Sequence, residues 1–336
     1  MKKAVIATVS VAMILSFMAC KEKKQQTQTD APITLVMAEV NPPETISGRM
    51  DSAFKEKVEE LSGGKIKIDL QFSGILGDES QVLDLIKSPD GSIQLMRGPS
   101  NLEKIGGKKS LVISIPFTFN NDEHFWKFAH SEVAQEILNE PYENGLGVKG
   151  LFYAEEGFRH IFSVKESPIQ TVEDIKGKKF RVSGSVLTAL AKSLEAEGVK
   201  IAFNDLYAAF TTGDAEVAEQ PIANYLANSF DKVAPNLTLD GHMLGAVQVM
   251  INSKTWDSLS ENQREIIKKA GEYAQDYCKK ILEEATTAAI EQVKANGGTV
   301  FEISDKTPWQ EACAQMISES SKDYPELYKK ILELGK

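Results

Sequence analysis

The feature that most constrains the fold is one long amphipathic segment near the C-terminal end. "SENQREIIKKAGEYAQDYCKKILEEATTAAIEQVKANGG" has a Ser260–Gln263 capping box at its start and Gly297 at its end. A helix over residues 261–296 would contain 36 residues and be about 54 Å long, at roughly 1.5 Å per residue. Because this exceeds a small domain, the sequence predicts one helix that crosses two domains. Two helices, broken near Gly271 or at "TT", are the open alternative.

The rest of the chain alternates between strand and helix patterns. The strand-like runs "ITLVMAEV", "KIKIDLQF" and "SIQLMRG" are separated by amphipathic helix patterns. A second set contains "GVKGLFYAEE", "KKFRV" and "KIAFN", again with helical segments between them, and "AVQVMIN" follows as a buried strand. This order predicts α/β domains with largely parallel sheets. With 336 residues, the chain is too long for one core, so we expect two lobes, a hinge and a ligand cleft.

The N-terminus has the pattern of an export signal. "MKK" is a basic region, "AVIATVSVAMILSFM" is apolar but short for a membrane span, and "FMAC" resembles a lipoprotein cleavage site. We predict a signal peptide over residues 1–19, lipid attachment at Cys20 and a flexible tether over residues 20–32. A plain secretory signal or an uncleaved anchor stays open. Export also permits a disulfide between Cys278 and Cys313, with two buried free thiols as the alternative.

Charge and motifs argue against several classes of protein. The formal net charge of −10 repels phosphate backbones, so we predict no nucleic-acid partner. The sequence contains no G-x-S-x-G, P-loop or HExxH motif, and its four histidines do not have metal-ligand spacing. We therefore predict that the protein is not an enzyme and needs no metal or other cofactor.

Two arginines are the candidate ligand contacts. Arg159 in "EEGFRHIFS" and Arg181 in "KKFRVSGS" lie at or near the ends of predicted strands. In open α/β sheets the ligand crevice lies beyond the carboxyl ends of the strands, and a guanidinium can hold a carboxylate through two parallel hydrogen bonds. From the residues alone, solvated ion pairs are the other interpretation, and the pattern does not decide between them.

From about residue 33 to its end, the chain resembles a known family. "SGGKIKIDLQFSGILGDESQVLDLIKSPDGSIQL", "SIPFTFNNDEH", "GFRHIFSVKESPIQTVEDIKGKKFRV", "FNDLYAAFTTG" and "WDSLSENQREIIKKAG" occur in the family's order. Together they resemble the DctP-type substrate-binding proteins of TRAP (tripartite ATP-independent periplasmic) transporters. No single motif is specific for this family, whereas the five motifs in this order are.

The resemblance implies a two-lobed periplasmic solute-binding fold, type II-like, with a long helix spanning both lobes. We assign residues 33–156 and 246–285 to lobe I, and residues 157–245 and 286–336 to lobe II. The implied function is capture of an organic anion, a monocarboxylate or related acid, and its delivery to the membrane permease subunits of a TRAP transporter. The implied location is the periplasm, with lipid attachment to a bacterial membrane. A partner-binding or sensory lipoprotein is the alternative, and a periplasmic helical-repeat protein is a candidate partner.

The resemblance also implies site residues. Arg181 matches the arginine that bridges the ligand carboxylate, and Arg159 matches a second pocket cation. Phe203 matches an aromatic that packs on the ligand, and Gln220 stands where the family usually has asparagine. The candidate set is completed by Glu39, Phe117 and Asn224.

Several positions depart from the family pattern. Glu216 and Gln94 each stand at a position where the family commonly has aspartate. Arg181 is followed by "VSGS", where the family frequently has Val-Pro. These changes predict an atypical ligand. A set of large apolar side chains forms either a hydrophobic pocket for it or part of the core: Met37, Met96, Phe117, Phe119, Phe152 and Phe203.

Overall fold

Strands and helices alternate along the chain as the hydrophobic pattern predicts. The computed structural model describes residues 31–88 and 91–336. The predicted signal peptide, Cys20 and most of the predicted tether lie outside these residues. Within the described ranges, no helix combines the length and the apolar character that a membrane crossing requires.

The described residues form the following strands and helices. The strands are β1 Ile33–Ala38, β2 Ile66–Gln71, β3 Leu95–Pro99, β4 Val148–Ser163, β5 Lys179–Val182, β6 Glu197–Lys200, β7 Val217–Pro221, β8 Asn236–Asn252 and β9 Thr299–Glu302. The helices are α1 Ile46–Leu61, α2 Glu79–Lys87, α3 Asp122–Ala129, α4 Glu132–Glu143, α5 Val172–Ile175, α6 Ser185–Ser193, α7 Leu206–Thr212, α8 Ile222–Ala227, α9 Ser253–Ser258, α10 Glu261–Ala295, α11 Thr307–Ala312, α12 Ala314–Ser321 and α13 Pro325–Glu333.

One mixed sheet runs through both lobes of the α/β fold. Its strand order is β2-β1-β3-β8-β4-β7-β5-β6, and β9 pairs with β8. The pairs β1–β2, β1–β3, β5–β6 and β5–β7 are parallel, as predicted, whereas β4 and β8 pair antiparallel with each other. Because β4 has 16 residues and β8 has 17, each extends from one lobe into the other.

The antiparallel β4–β8 ladder is interrupted near its middle. Glu155 pairs with Ala246 and Phe158 with Leu244, so two residues of β4 lie opposite one residue of β8. Gly157 in this bulge has φ of 96°, a left-handed conformation that favours glycine. We propose this bulge as the hinge, at the chain positions where the sequence analysis divides the lobes.

The long helix α10 is continuous, so the alternative of two helices is wrong. Its 35 residues correspond to about 52 Å, and the predicted Ser260–Gln263 capping box is present. Gly271 does not break the helix because its role is in packing. A Cβ atom there would lie 2.7 Å from Cδ1 of Phe152 on β4.

Gly271→Ala is expected to destabilise the protein, although alanine favours helices. The gain in helix propensity is about 1 kcal/mol, whereas overpacking a core contact costs about 1–3 kcal/mol. We expect the free energy of unfolding in urea to fall by about 1 kcal/mol. Thr287→Ala, at an exposed position of the same helix, is the control and should not destabilise. An equal response of the two variants would contradict the packing argument.

The last helix differs from its predicted assignment. Leu327, Tyr328 and Ile331 of α13 belong to the same core cluster as Phe54 and Phe128 of lobe I. The prediction that residues 286–336 belong to lobe II is therefore wrong for this helix. The physical reason is that α13 has an apolar face that α3 and α4 of lobe I cover, a contact that no local pattern encodes.

The two described cysteines are free and buried. Cys278 lies in the lobe I core and Cys313 in a lobe II core, so the disulfide alternative is wrong and the free-thiol alternative is correct. Burial raises the pKa of each thiol to about 12, and both stay protonated at neutral pH.

Candidate functional site

Arg181 lies at the carboxyl end of β5 and is only 4% exposed. Its Nε donates a hydrogen bond to the carbonyl oxygen of Ile201, at 3.0 Å. Its guanidinium carbon lies 6.0 Å from the centroid of the Phe203 ring. Among the described residues, no carboxylate forms an ion pair with Arg181, and its terminal nitrogens have no hydrogen-bond acceptor. The solvated ion pair that the residues alone left open is therefore not formed by Arg181 within the described part of the chain.

The pKa of Arg181 is lowered, mainly because the side chain is buried. The negative charge of Glu219 raises this pKa, and the positive charge of Arg159 lowers it. A guanidinium nevertheless stays charged at any physiological pH. A buried charge without a partner is unfavourable by several kcal/mol. An anion that pairs with Arg181 would remove this cost, so the geometry favours an anionic ligand.

The groove beside Arg181 has a volume of about 890 Å³. Its wall includes Ser183, Gly184 and Ser185 at the start of α6, and Ile201 and Ala202 after β6. A neighbouring cleft continues from the same serines to Arg159, and then to Pro99, Ser100 and Asn101 of lobe I. The space beside Arg181 therefore leads into the region between the lobes.

Arg159 is already paired within the protein. Its Nη2 donates to Oε1 of Glu219 at 2.8 Å, and its Nε donates to Oε2 of the same carboxylate. Burial would lower the pKa of Arg159, but the Glu219 charge outweighs this and raises it. Arg159 is therefore close enough to lower the pKa of Arg181 by charge repulsion, and the charge of Arg159 itself is balanced by Glu219.

Glu219 belongs to a buried network that the sequence analysis missed. His242 lies between two carboxylates, with Nδ1 2.7 Å from Asp240 Oδ2 and Nε2 3.5 Å from Glu219 Oε2. Burial opposes the charge of His242, but Asp240 and Glu219 raise its pKa to about 9. Burial also opposes the charge of Glu219, yet Arg159 and His242 lower its pKa to about 2. The sequence feature that could have indicated this network is "DGH", because residues two positions apart in a strand, here Asp240 and His242, lie on the same face of the sheet.

Gln220 follows Glu219 at the carboxyl end of β7, and it is 6% exposed. Its side-chain amide has no hydrogen-bond partner among the described residues. Because β5 and β7 are parallel, their carboxyl ends lie at the same edge of the sheet. Gln220 and Arg181 are thus both at the edge where α/β proteins hold ligands.

The carboxylate of Glu39 is already engaged within the protein, and its predicted ligand contact stays a prediction. Arg97 donates to both of its carboxylate oxygens, at 2.8 and 2.6 Å, and the backbone N–H of Asn41 donates to one of them at 2.6 Å. Burial would raise the pKa of Glu39, but Arg97 lowers it. Its side chain is buried and its charge is compensated.

Phe117 packs in the lobe II core and is 5% exposed, and its predicted ligand contact stays a prediction. Asn224 lies exposed on α8, and among the described residues it forms no hydrogen bond with either candidate arginine. Of the apolar set, Phe203 is 37% exposed. The core-packing alternative is correct for the others, which are buried in the hydrophobic clusters: Met37, Met96, Phe117, Phe119 and Phe152.

Metal binding has no support in the described residues, which contain no group of His, Cys, Asp or Glu arranged to hold a metal ion. The chemistry that this arrangement offers is electrostatic: one unpaired guanidinium, one free amide and one half-exposed aromatic ring near a sheet edge. These are contacts that bind an anion and its organic body.

The family model of bacterial extracellular solute-binding protein family 7, DctP, matches residues 37–323 of the chain. A solute-binding protein of Sulfitobacter sp. strain NAS-14.1 is 30% identical over 276 residues, covering 80% of this chain and 82% of the relative. The C4-dicarboxylate-binding periplasmic protein DctP of Rhodobacter capsulatus is 25% identical over 294 residues, covering 86% of each chain.

Solved structures are also similar. A TRAP periplasmic solute-binding protein from Ochrobactrum anthropi, with a C-terminus bound in its ligand-binding pocket, has a TM-score of 0.85 and 27% identity, over 91% of this chain and 97% of that one. Another from Pseudomonas putida F1, with bound D-glucuronate, has a TM-score of 0.75 and 26% identity, over 89% of this chain and 96% of that one.

Proposed function

Because the chain belongs to family 7 of bacterial extracellular solute-binding proteins, the DctP-type proteins of TRAP transporters, we propose that it captures an organic acid through Arg181. The observation that carries this proposal is a buried guanidinium that has no counter-ion among the residues the structure describes. Proteins of this family bind solutes for transport in the periplasm and are not enzymes.

The bound ligands of relatives support an acidic solute. Solved relatives contain D-glucuronate at 26% identity, and β-D-galacturonate and D-erythronate at 25% identity. Each of these ligands is a sugar acid with a carboxylate. In this chain, an anionic group beside Arg181 would leave the organic body near Phe203 and Gln220. The monocarboxylate predicted from the sequence needs only the two terminal nitrogens of Arg181.

The same proposal includes closure and delivery. Because the β4–β8 bulge offers a bending point and the cleft has walls from both lobes, we propose that the lobes close on the solute and present it to the TRAP membrane permease. Closure would exclude water and strengthen the ion pair with Arg181. Lipid attachment at Cys20 would keep the protein close to that permease.

A panel of organic acids is expected to stabilise the protein, whereas the corresponding neutral sugars should not. A ligand at 100 times its Kd adds about 2.7 kcal/mol to the free energy of unfolding, which a thermal melt detects. Small-angle scattering of the stabilised complex should show a smaller radius of gyration. Stabilisation by neutral sugars alone, or by no organic acid, would contradict uptake of an organic acid and favour a partner-binding or sensory role.

A further inference from the structure

The groove beside Arg181 carries more positive charge than one carboxylate requires. Its lining residues include Arg181, Lys192 and Lys200, and they include no aspartate or glutamate. Lys192 and Lys200 are exposed, and neither forms an ion pair within the described ranges. This wall of lobe II is therefore an anion-attracting surface, within a protein whose net charge is −10.

A second set of hydrogen-bond donors lies at the start of α6, a helix of nine residues. Its N-cap is Gly184, which offers no side-chain acceptor, and a Cβ atom there would meet nothing within 4 Å. Hydrogen bonding within this first turn begins at Thr188, whose backbone N–H donates to the carbonyl oxygen of Gly184 at 3.0 Å. The earlier N–H groups of α6 find no acceptor in the described part of the chain, and a helix N-terminus of this kind attracts oxyanions.

The turn that precedes α6 adds donors at this position. Ser183, Gly184 and Ser185 follow Val182, and all three residues line the groove beside Arg181. Each has a backbone N–H group, and the two serines also carry hydroxyl groups that can donate hydrogen bonds.

We propose that the anionic group of the solute is a phosphate monoester, held between Arg181 and the Ser183–Gly184–Ser185 turn. This inference rests on the proposed function, and it narrows the organic acid to a phosphate ester in place of the predicted monocarboxylate. A planar carboxylate is satisfied by the fork of Arg181 alone. A phosphate has three acceptor oxygens and a charge of about −1.5 to −2 at pH 7, so it can also use the α6 donors and the lysines.

Matched ligand pairs test the inference by calorimetry on the full-length chain. The pairs are sn-glycerol 3-phosphate with glycerate, and glucose 6-phosphate with glucuronate; inorganic phosphate and acetate are the isolated head groups. We expect the phosphate member of at least one pair to bind at least tenfold more tightly than its carboxylate. We also expect inorganic phosphate, but not acetate, to compete with it.

Ser183→Pro removes donors from the turn without changing any charge. It should weaken phosphate-ester binding at least tenfold and change carboxylate binding less than twofold. Lys192→Gln, at an exposed site, should weaken phosphate-ester binding about threefold, and Lys254→Gln on the surface of lobe I should leave it unchanged.

Two results would overturn the phosphate assignment. In the first, the carboxylates bind as tightly as their matched phosphate esters, or more tightly. In the second, the Ser183→Pro variant retains full affinity for the phosphate esters. In either case, binding that still depends on Arg181 would leave the proposed function intact. Failure of every organic acid, phosphate esters included, would overturn both proposals.

Discussion

Arg181→Ala is expected to abolish organic-acid binding while the protein stays folded. The expected loss of binding free energy is about 2–5 kcal/mol, the range for truncating one partner of a buried charge pair. This corresponds to a weakening of roughly 30- to 5,000-fold, at about 1.4 kcal/mol for each factor of ten. Calorimetry with whichever organic acid stabilises the wild-type protein measures the effect.

Stability separates this prediction from a structural role. Within the described ranges Arg181 is a buried cation without an ion-pair partner, and its side chain donates one hydrogen bond, to the carbonyl oxygen of Ile201. Its removal should not lower the free energy of unfolding, because the loss of one hydrogen bond, about 1 kcal/mol, is offset by the relief of an uncompensated buried charge. Arg49→Ala, at an exposed position on α1, should change neither affinity nor stability. Full affinity in Arg181→Ala would eliminate the ion-pair mechanism.

Glu219→Gln is expected to destabilise the fold by about 3 kcal/mol, because it removes the fully buried carboxylate of an ion pair and leaves the partly buried Arg159 without its counter-charge. The carboxylate accepts two hydrogen bonds from Arg159 and approaches His242. These same contacts change the Glu219 pKa from 4.5 to about 2, which corresponds to about 3 kcal/mol of stability. Urea denaturation measures the difference from the wild-type protein.

The pH dependence gives a second measurement on the same variant. Since the folded pKa of Glu219 is depressed, its contribution is present above pH 4.5 and is lost as the pH falls towards about 2. The pKa of His242 is raised from 6.5 to about 9, so its contribution is present below pH 6.5 and is lost as the pH rises through about 9. The stability gap between wild type and Glu219→Gln should therefore be widest between pH 4.5 and 6.5.

Asp231→Asn is the matched control, because Asp231 is a buried carboxylate elsewhere in lobe II that accepts from Asn296. Its stability loss should be smaller, since an asparagine oxygen can still accept that hydrogen bond. A gap between wild type and Glu219→Gln that stays constant from pH 2 to 6.5 would show that the carboxylate charge does not stabilise the network.

Much of the architecture was predictable because its signals are local. The capping box, the periodicity of α10 and the alternation of β1 and β2 depend on residues a few positions apart, and these elements formed near their predicted bounds. β4 and β8 extend well beyond the predicted runs "GVKGLFYAEE" and "AVQVMIN", and β6 ends at Lys200, where the predicted run "KIAFN" begins. The motif around Arg181 predicted a cation at a strand end, and the structure places Phe203 beside it. The role of both residues in ligand binding stays a prediction.

The sequence alone determined the two-lobed α/β class, the helix that crosses both lobes and the arginine at the end of β5. Only the tertiary structure decided which charges are paired. Glu39 is taken by Arg97, 58 positions away, and Arg159 by Glu219, 60 positions away. Ion-pair partners are chosen by proximity after folding, and the desolvation that fixes their pKa values exists only in the packed interior. For that reason Arg159 and Arg181, which look equivalent in the sequence, differ in the structure: Arg159 is neutralised by Glu219, and Arg181 has no ion-pair partner among the described residues.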